Sequence, residues 1–139
     1  MSDCIDTSIL VAAMVSTEPF HDECLALIYG GGCGLYLHGV VETFNILTGG
    51  REAFRMPASK AAEFFDDHYI PRLSIVPLTA VETLRAMREA EPRGVRGGAI
   101  FDYLHLVAAR KARGRRLFTL NISDFRAFHR AGDPEIVHP

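Results

Sequence analysis

An excess of charge of one sign is missing from this sequence: 15 Lys and Arg stand against 17 Asp and Glu, a formal net charge of -2 at pH 7. That balance argues against a protein that holds nucleic acid by bulk positive charge, so any contact with phosphates must be local. Long apolar runs are missing too. No stretch approaches the roughly 20 residues that a membrane span needs, and the first residues lack the basic and apolar regions of a signal peptide. A cytoplasmic location without a membrane partner is therefore expected. Cys4, Cys24 and Cys33 are odd in number and lack metal-type spacing, which points to reduced, buried thiols. The six histidines contain no i, i+4 pair, which removes a simple zinc reading. Low-complexity segments and dividing linkers are also absent, so the 139 residues, 48% of them hydrophobic, read as one domain, 1–139.

What is present is an alternation of strand-like and helix-like pieces. A short strand near Asp3–Asp6 leads into a helix from Thr7 to about Ser16, and after Pro19 a second helix runs from about His21 to Tyr29. "CGLYLHG" (33–39) reads as a short strand, "VVETFNIL" (40–47) as the start of a helix ending by Gly49 and Gly50, and "MPASKAAEFFDDHY" (56–69) as a fourth helix. "RLSIVPL" (72–78) is a strand, followed by the helix "TAVETLRAMREA" (79–90) and by an apolar helix over residues 97–113 that Gly114 stops. "RRLFTL" (115–120), "SDFRAFHR" (123–130) and "EIVHP" (135–139) close the chain as strand, short helix and strand. Strands separated by helices imply parallel pairing through right-handed crossovers. The expected class is α/β, a three-layer α/β/α sandwich around a mainly parallel sheet of four to five strands.

Ligands of such sheets bind beyond the carboxyl ends of the strands, where acids recur in this chain. Asp6 ends the first strand, Glu42 opens the helix after "CGLYLHG", and Asn121 and Asp124 follow "RRLFTL". For Asp6, capping of the next helix and a functional role weigh equally. For Asn121, Ser123 and Asp124, capping of the short helix weighs somewhat more. The tripeptide Val-Glu-Thr occurs twice, at 41–43 and 81–83, and serves as an internal control. Glu82 lies three residues after Thr79, the spacing of a reciprocal capping box, so structure suffices to explain it. Glu42 has Gly39 at the equivalent position, and the helix dipole alone rewards it by only about 0.3–1 kcal/mol. Asp102 has the weakest structural reason to be where it is. Ile100, Phe101, Leu104, Val107 and Ala108 surround it on a helix packed against the sheet, and Asp is a poor helix former away from caps.

If Asp6, Glu42 and Asp102 converge, two carboxylates about 4 Å apart repel by about 4 kcal/mol at an effective dielectric near 20, so the cluster must take up protons or a cation. All-oxygen ligands select hard ions, chiefly Mg2+ or Mn2+. The chemistry that follows is metal-assisted phosphodiester hydrolysis, with Glu42 or Asp124 orienting or deprotonating the attacking water.

"CIDTSILVAA" resembles the opening strand and helix of PIN-domain nucleases, "VVETFNIL" the helix that carries their second acid, and "GGAIFDYLHLVAARKARGRRLFTLNISDF" their most recognisable segment. The closing "EIVHP" fits as well, so the resemblance spans the chain and is strongest to the bacterial VapC-like toxins. It implies a Mg2+- or Mn2+-dependent endoribonuclease, usually a homodimer, acting on RNA and held inactive by a cognate antitoxin. By position, Asp6, Glu42 and Asp102 match the three principal acids and metal ligands. Thr7 or Ser8 is expected to help position them, and Thr7, Ser8 and Thr119 are the candidate substrate-binding hydroxyls beside them. The family's fourth position, often Asp, holds Asn121, which cannot supply the charge for a second strongly held metal; Asp124, three residues on, is the substitute.

Basic residues must meet the RNA phosphates. Arg110, Lys111, Arg113, Arg115 and Arg116 form the densest cluster, but cations at a helix C-terminus need no ligand to explain them, and that end points away from the acids. Arg51, Arg93 and Arg96, read as loop residues nearer the acids, are the better phosphate contacts. Phe44, Ile46, Leu47 and Phe54 are candidates for a groove that takes an antitoxin segment, or for core. A dehalogenase-like phosphotransferase would need a second Asp where Ser8 stands, and a receiver-type signalling domain would need early paired acids and a late Lys that are not evident. The remaining alternative is a non-catalytic PIN-like binding module with a degenerate acidic site.

Overall fold

The computed structural model describes residues 2–50 and 55–139. Five strands, β1 (Cys4–Ile5), β2 (Cys33–Tyr36), β3 (Leu73–Val76), β4 (Arg116–Phe118) and β5 (Glu135–Val137), form one sheet in the order β3-β2-β1-β4-β5. All four pairings are parallel, with Ile5 opposite Leu35 on one side and Phe118 on the other. Helices α1 (Thr7–Met14), α2 (His21–Tyr29), α3 (Leu37–Gly49) and α4 (Ala58–Phe64) cover one face, and α5 (Ala80–Arg93), α6 (Ala99–Lys111) and α7 (Ile122–Arg126) the other. The chain is thus a three-layer α/β/α sandwich. Successive strand residues face opposite layers, as the two-residue period of a strand requires: Ile5 and Phe118 pack beneath α1, while Cys4 and Leu117 pack against α6. The strands are short, and the three central ones, β2, β1 and β4, are nearly all buried, as expected of a sheet covered on both faces.

Several boundaries differ from the sequence expectation. "CGLYLHG" divides: β2 stops at Tyr36, where its partner β3 also ends at Val76, and α3 starts at Leu37 rather than Val40. Leu37 is half-exposed, where a continuing strand would have buried it. Glu42 therefore lies in the second turn of α3, beyond the turn where the helix dipole acts most strongly. α1 ends two residues early, at Met14. The fourth helix is not uniform: α4 gives way to a π-helical turn over Phe65–Tyr69, which turns both of those rings into the core, and then to a 3-10 turn over Ile70–Arg72. The capping box forms as expected, with Glu82 N donating to Thr79 Oγ1 at 3.1 Å and Thr79 N to Glu82 Oε1 at 2.8 Å. α5 nevertheless continues three residues past Ala90, with Pro92 in its last turn, and takes in Arg93. Among the described residues no helix is long and apolar enough to cross a membrane.

Candidate active site

The strand order decides where a site can lie. From β1 the chain crosses to β2 and β3 on one side, while β4 and β5 are laid down on the other, so the crevice between the carboxyl ends of β1 and β4 is a topological switch point. Asp6 leaves β1 there, and Thr119 leaves β4. A cleft of about 330 Å3 opens above them, and its walls include Asp6, Thr7, Ser8, Glu42, Asp102 and Asn121. Acids separated by up to 96 positions in the sequence are thus brought to one place.

Asp6 is 2% exposed and makes the helix cap expected of it. Its Oδ1 accepts from Ile9 N at 3.4 Å, a long cap for α1, and from Ser8 Oγ at 2.5 Å; its Oδ2 accepts from Thr119 Oγ1 at 2.6 Å. Ser8 Oγ in turn accepts from Leu120 N at 3.0 Å, and Thr119 Oγ1 from Asn121 N at 2.9 Å. One buried carboxylate therefore ties the end of β1 to the end of β4. Burial pushes its carboxyl up, against His105, the two hydroxyls and the Ile9 amide. The hydroxyls of Thr119 and Ser8 are both committed to this frame, although Ser8 also lines the cleft.

Glu42 and Thr7 meet a residue to which the sequence reading assigned no role. Thr7 Oγ1 donates to Glu42 Oε1 at 3.2 Å, and His105 Nε2 lies 3.0 Å from Thr7 Oγ1 and 3.3 Å from Glu42 Oε1. His105 is buried, with the Tyr36 ring edge-on to it at 5.6 Å. The ionised Glu42 selects the Nε2–H form of the ring, because a lone pair there would face a carboxylate oxygen. Its Nδ1 is buried and unpartnered among the described residues, a desolvation cost of about 1–3 kcal/mol. Burial works to raise Glu42, but His105, Thr7 and His38 outweigh it and hold the carboxyl below its ordinary value. The available signal was spacing: His105 stands three residues after Asp102 on α6, which puts both near one face of the helix.

Gly39 makes the room for that ring. A Cβ at position 39 would lie 2.8 Å from Leu35 Cδ1, 2.9 Å from His105 Cε1 and 3.3 Å from Thr7 Oγ1. Gly39→Ala gains about 1 kcal/mol of helix propensity but overpacks the site by about 1–3 kcal/mol. The expected net result is a lower urea midpoint, together with slower turnover of any substrate that the cleft processes.

Asp102 occupies the first turn of α6, half-buried, and its carboxylate accepts no hydrogen bond from any described residue. Burial first, and then the charges of Asp6, Asp124 and Glu42, opposed by His105, push its carboxyl up to about 6. At neutral pH it is ionised against its surroundings. This is the electrostatic deficit that a cation relieves.

The remaining candidates separate. Asp124 is exposed in the first turn of α7, close enough to raise Asp102. Asn121 sits at the N-cap position of α7 but makes no side-chain cap bond, and neither Ser123 nor Asp124 replaces it, so the expected cap is not made. Arg93 is not a loop residue. It ends α5 and is held by Asp133 at 2.6 Å and by Phe128 O at 3.3 Å. Arg96 is exposed in the loop before α6, and Arg51 and Phe54 lie outside the described residues. Of the basic cluster, Arg110 pairs with Glu89 at 3.1 Å, Lys111 with Glu82 at 2.8 Å and Arg116 with Asp3 at 2.7 Å, all structural uses. Leu47 is core, and Phe44 lines a separate apolar groove with Val41 and Ile70, whereas Ile46 faces the acidic cleft.

Among the described residues no three His, Cys, Asp or Glu side chains are grouped so as to hold a metal ion, so the expected cage of Asp6, Glu42 and Asp102 is not formed. Three donors already engage the two oxygens of Asp6. Asp102 and Glu42 Oε2, neither hydrogen-bonded to a described residue, are what is left. That set fits a hydrated cation that keeps several waters and takes one or two carboxylates.

The family model for the PIN domain matches residues 4–131. No curated protein matches the chain. Among solved structures it is similar to Mycobacterium tuberculosis VapC20, described as a Sarcin-Ricin loop cleaving toxin, with 21% identity, 99% of this chain and 100% of that one covered, and a TM-score of 0.68. VapBC2 from Rickettsia felis, bound to a DNA fragment from its promoter, is similar with 17% identity, 100% and 99% coverage and a TM-score of 0.68. VapBC-1 from nontypeable Haemophilus influenzae is similar with 13% identity, 99% and 98% coverage and a TM-score of 0.66.

Proposed function

The chain belongs to the PIN domain family, and on that premise we propose that residues 1–139 work as a single nuclease domain, a Mg2+- or Mn2+-dependent endoribonuclease that hydrolyses RNA phosphodiester bonds. The observation that carries this reading is Asp102: ionised at neutral pH, free of hydrogen bonds to described residues, and facing Asp6, Asp124 and Glu42 at a switch-point cleft. A bound cation would polarise the phosphoryl group and lower the pKa of a coordinated water. Asp102 and Glu42 are the residues to hold it. Asp6 adds negative charge from below and keeps the two strand ends together. Asp124, exposed in the first turn of α7, would accept a proton from the attacking water, and Asn121 would donate an amide hydrogen bond to a phosphate oxygen. Arg96 is the phosphate contact of choice, since Arg93 is committed to Asp133.

The similar structures support a role as the toxin of a bacterial toxin–antitoxin pair, since one is described as a Sarcin-Ricin loop cleaving toxin and two are named VapBC. A cognate antitoxin, a homodimeric state and a cytoplasmic location complete this proposal.

One observation favours a second reading. The missing three-ligand group suits a PIN-like binding module whose acidic site is degenerate, and on coordination geometry alone that reading is the better supported. Incubation with defined structured and single-stranded RNAs in Mn2+, Mg2+ or chelator, followed by mapping of the cut sites, separates the two. The nuclease reading expects discrete cuts that disappear with chelator. Folded, antitoxin-free protein that cuts no RNA under any ion condition would establish the binding module instead.

A further inference from the structure

We propose that His105 is a positioning residue: its Nε2–H grips Oε1 of Glu42 and Oγ1 of Thr7, so that the other oxygen of Glu42 is presented to the cleft for a divalent cation. This rests on the nuclease reading above and adds to it a residue outside the acidic set. Three observations carry it. His105 is 3% exposed, so it touches no substrate. Its Nε2 lies within 3.0 Å of Thr7 Oγ1 and 3.3 Å of Glu42 Oε1, while its Nδ1 has no partner among the described residues. The third is that α3 gives up a side chain at Gly39 where the ring passes, its Cε1 only 2.9 Å from where a Cβ would stand.

A residue chosen for packing would fill this space better as Leu, which fits the apolar environment and leaves no buried polar atom unpaired. A ring that is kept despite its orphaned nitrogen is explained by what the other nitrogen does. Glu42 reaches the cleft from the second turn of α3, and its carboxylate has several rotatable bonds. Two donors on one oxygen, from α1 and α6, define the direction of the second. Groups that orient a metal-binding carboxylate in this way typically change metal affinity or activity by about 10- to 100-fold when removed.

The test uses His105→Gln, His105→Asn and His105→Leu in the full-length protein. A Gln amide nitrogen superposes on Nε2, and an Asn amide nitrogen on Nδ1. Mn2+ affinity by titration calorimetry, RNA cleavage and melting temperature are read for each. The expected result is Mn2+ binding and cleavage about tenfold or more weaker in His105→Leu and His105→Asn, and restored to within about threefold of the parent in His105→Gln. The melting temperature of His105→Leu should not fall. Equal behaviour of the Gln and Asn variants, or a Leu variant that binds Mn2+ like the parent, would overturn the proposal; if the Leu variant does not fold, the Gln and Asn pair still decides.

A parent protein that neither binds Mn2+ nor cuts RNA would defeat the nuclease reading instead. Nitrogen-15 NMR of the His105 ring needs neither activity. It should show a proton on Nε2, and a ring protonated on Nδ1 alone would end the proposal on its own.

Discussion

Asp102→Asn is expected to lower RNA cleavage by about a thousandfold and, in the same protein, to raise the melting temperature at neutral pH. The two effects share a cause. In the folded chain, burial and the neighbouring acids push the carboxyl from 3.8 up to about 6. In the unfolded chain it titrates near its ordinary value. Between those values the folded state binds more protons than the unfolded state, so stability falls as pH rises through that window, and above about pH 6 the full penalty is present. After allowance for solvent screening, the penalty is on the order of 2 kcal/mol, or roughly 5 °C in a chain of this size. An amide of the same shape escapes it.

The parent should therefore gain less stability than Asp102→Asn between pH 5 and pH 7, and Mn2+ should raise the melting temperature of the parent more than that of the variant. Thermal melts at both pH values, with and without Mn2+, and a cleavage time course check this. A variant that cuts RNA as fast as the parent, or that melts below it at pH 7, would show that Asp102 is a structural residue.

Asp6→Ala is expected to lose cleavage to a similar extent but to lose stability as well. Its carboxylate joins Ser8 and Thr119, and through them residues 112 and 113 positions apart in the sequence. Alanine leaves the buried Thr119 hydroxyl, the partly buried Ser8 hydroxyl and the Ile9 amide without their acceptor, at about 1–3 kcal/mol for each buried unsatisfied group. Release of a buried charge offsets part of this, so a net loss on the order of 2 kcal/mol is expected in urea unfolding. The contrast in sign between Asp6→Ala and Asp102→Asn is the sharper test, because it separates the acid that builds the crevice from the acid that faces its contents. Equal stability changes in the two variants would contradict that division of labour.

The acids were legible in the sequence because two of them violate a local rule and the third stands at a strand end, where ligands of such sheets bind. Asp102 interrupts an apolar helix, Glu42 lacks the capping partner that Glu82 has, and Asp6 ends a strand. The Thr79–Glu82 box was legible because a cap is a contact within one helical turn. His105 broke no local rule. A histidine on a mostly buried helix looks the same whether its ring nitrogen meets a glutamate from another helix or only apolar neighbours, and that glutamate is 63 positions away. Arg93 was misplaced for a similar reason: the partner that holds it, Asp133, lies 40 positions further on.

Composition, apolar periodicity and turn residues, all properties of neighbouring positions, determined the α/β class, the order of the elements and the acids beside their ends. Tertiary structure decided how those acids are used. Burial, the donors already committed to each oxygen and the charges that face it arise from segments far apart in the chain, and electrostatic interactions act through space rather than along the backbone. That is why Asp6 became a buried tie between β1 and β4 and Glu42 a carboxylate steered by His105, leaving Asp102 as the acid whose charge its surroundings leave unmet.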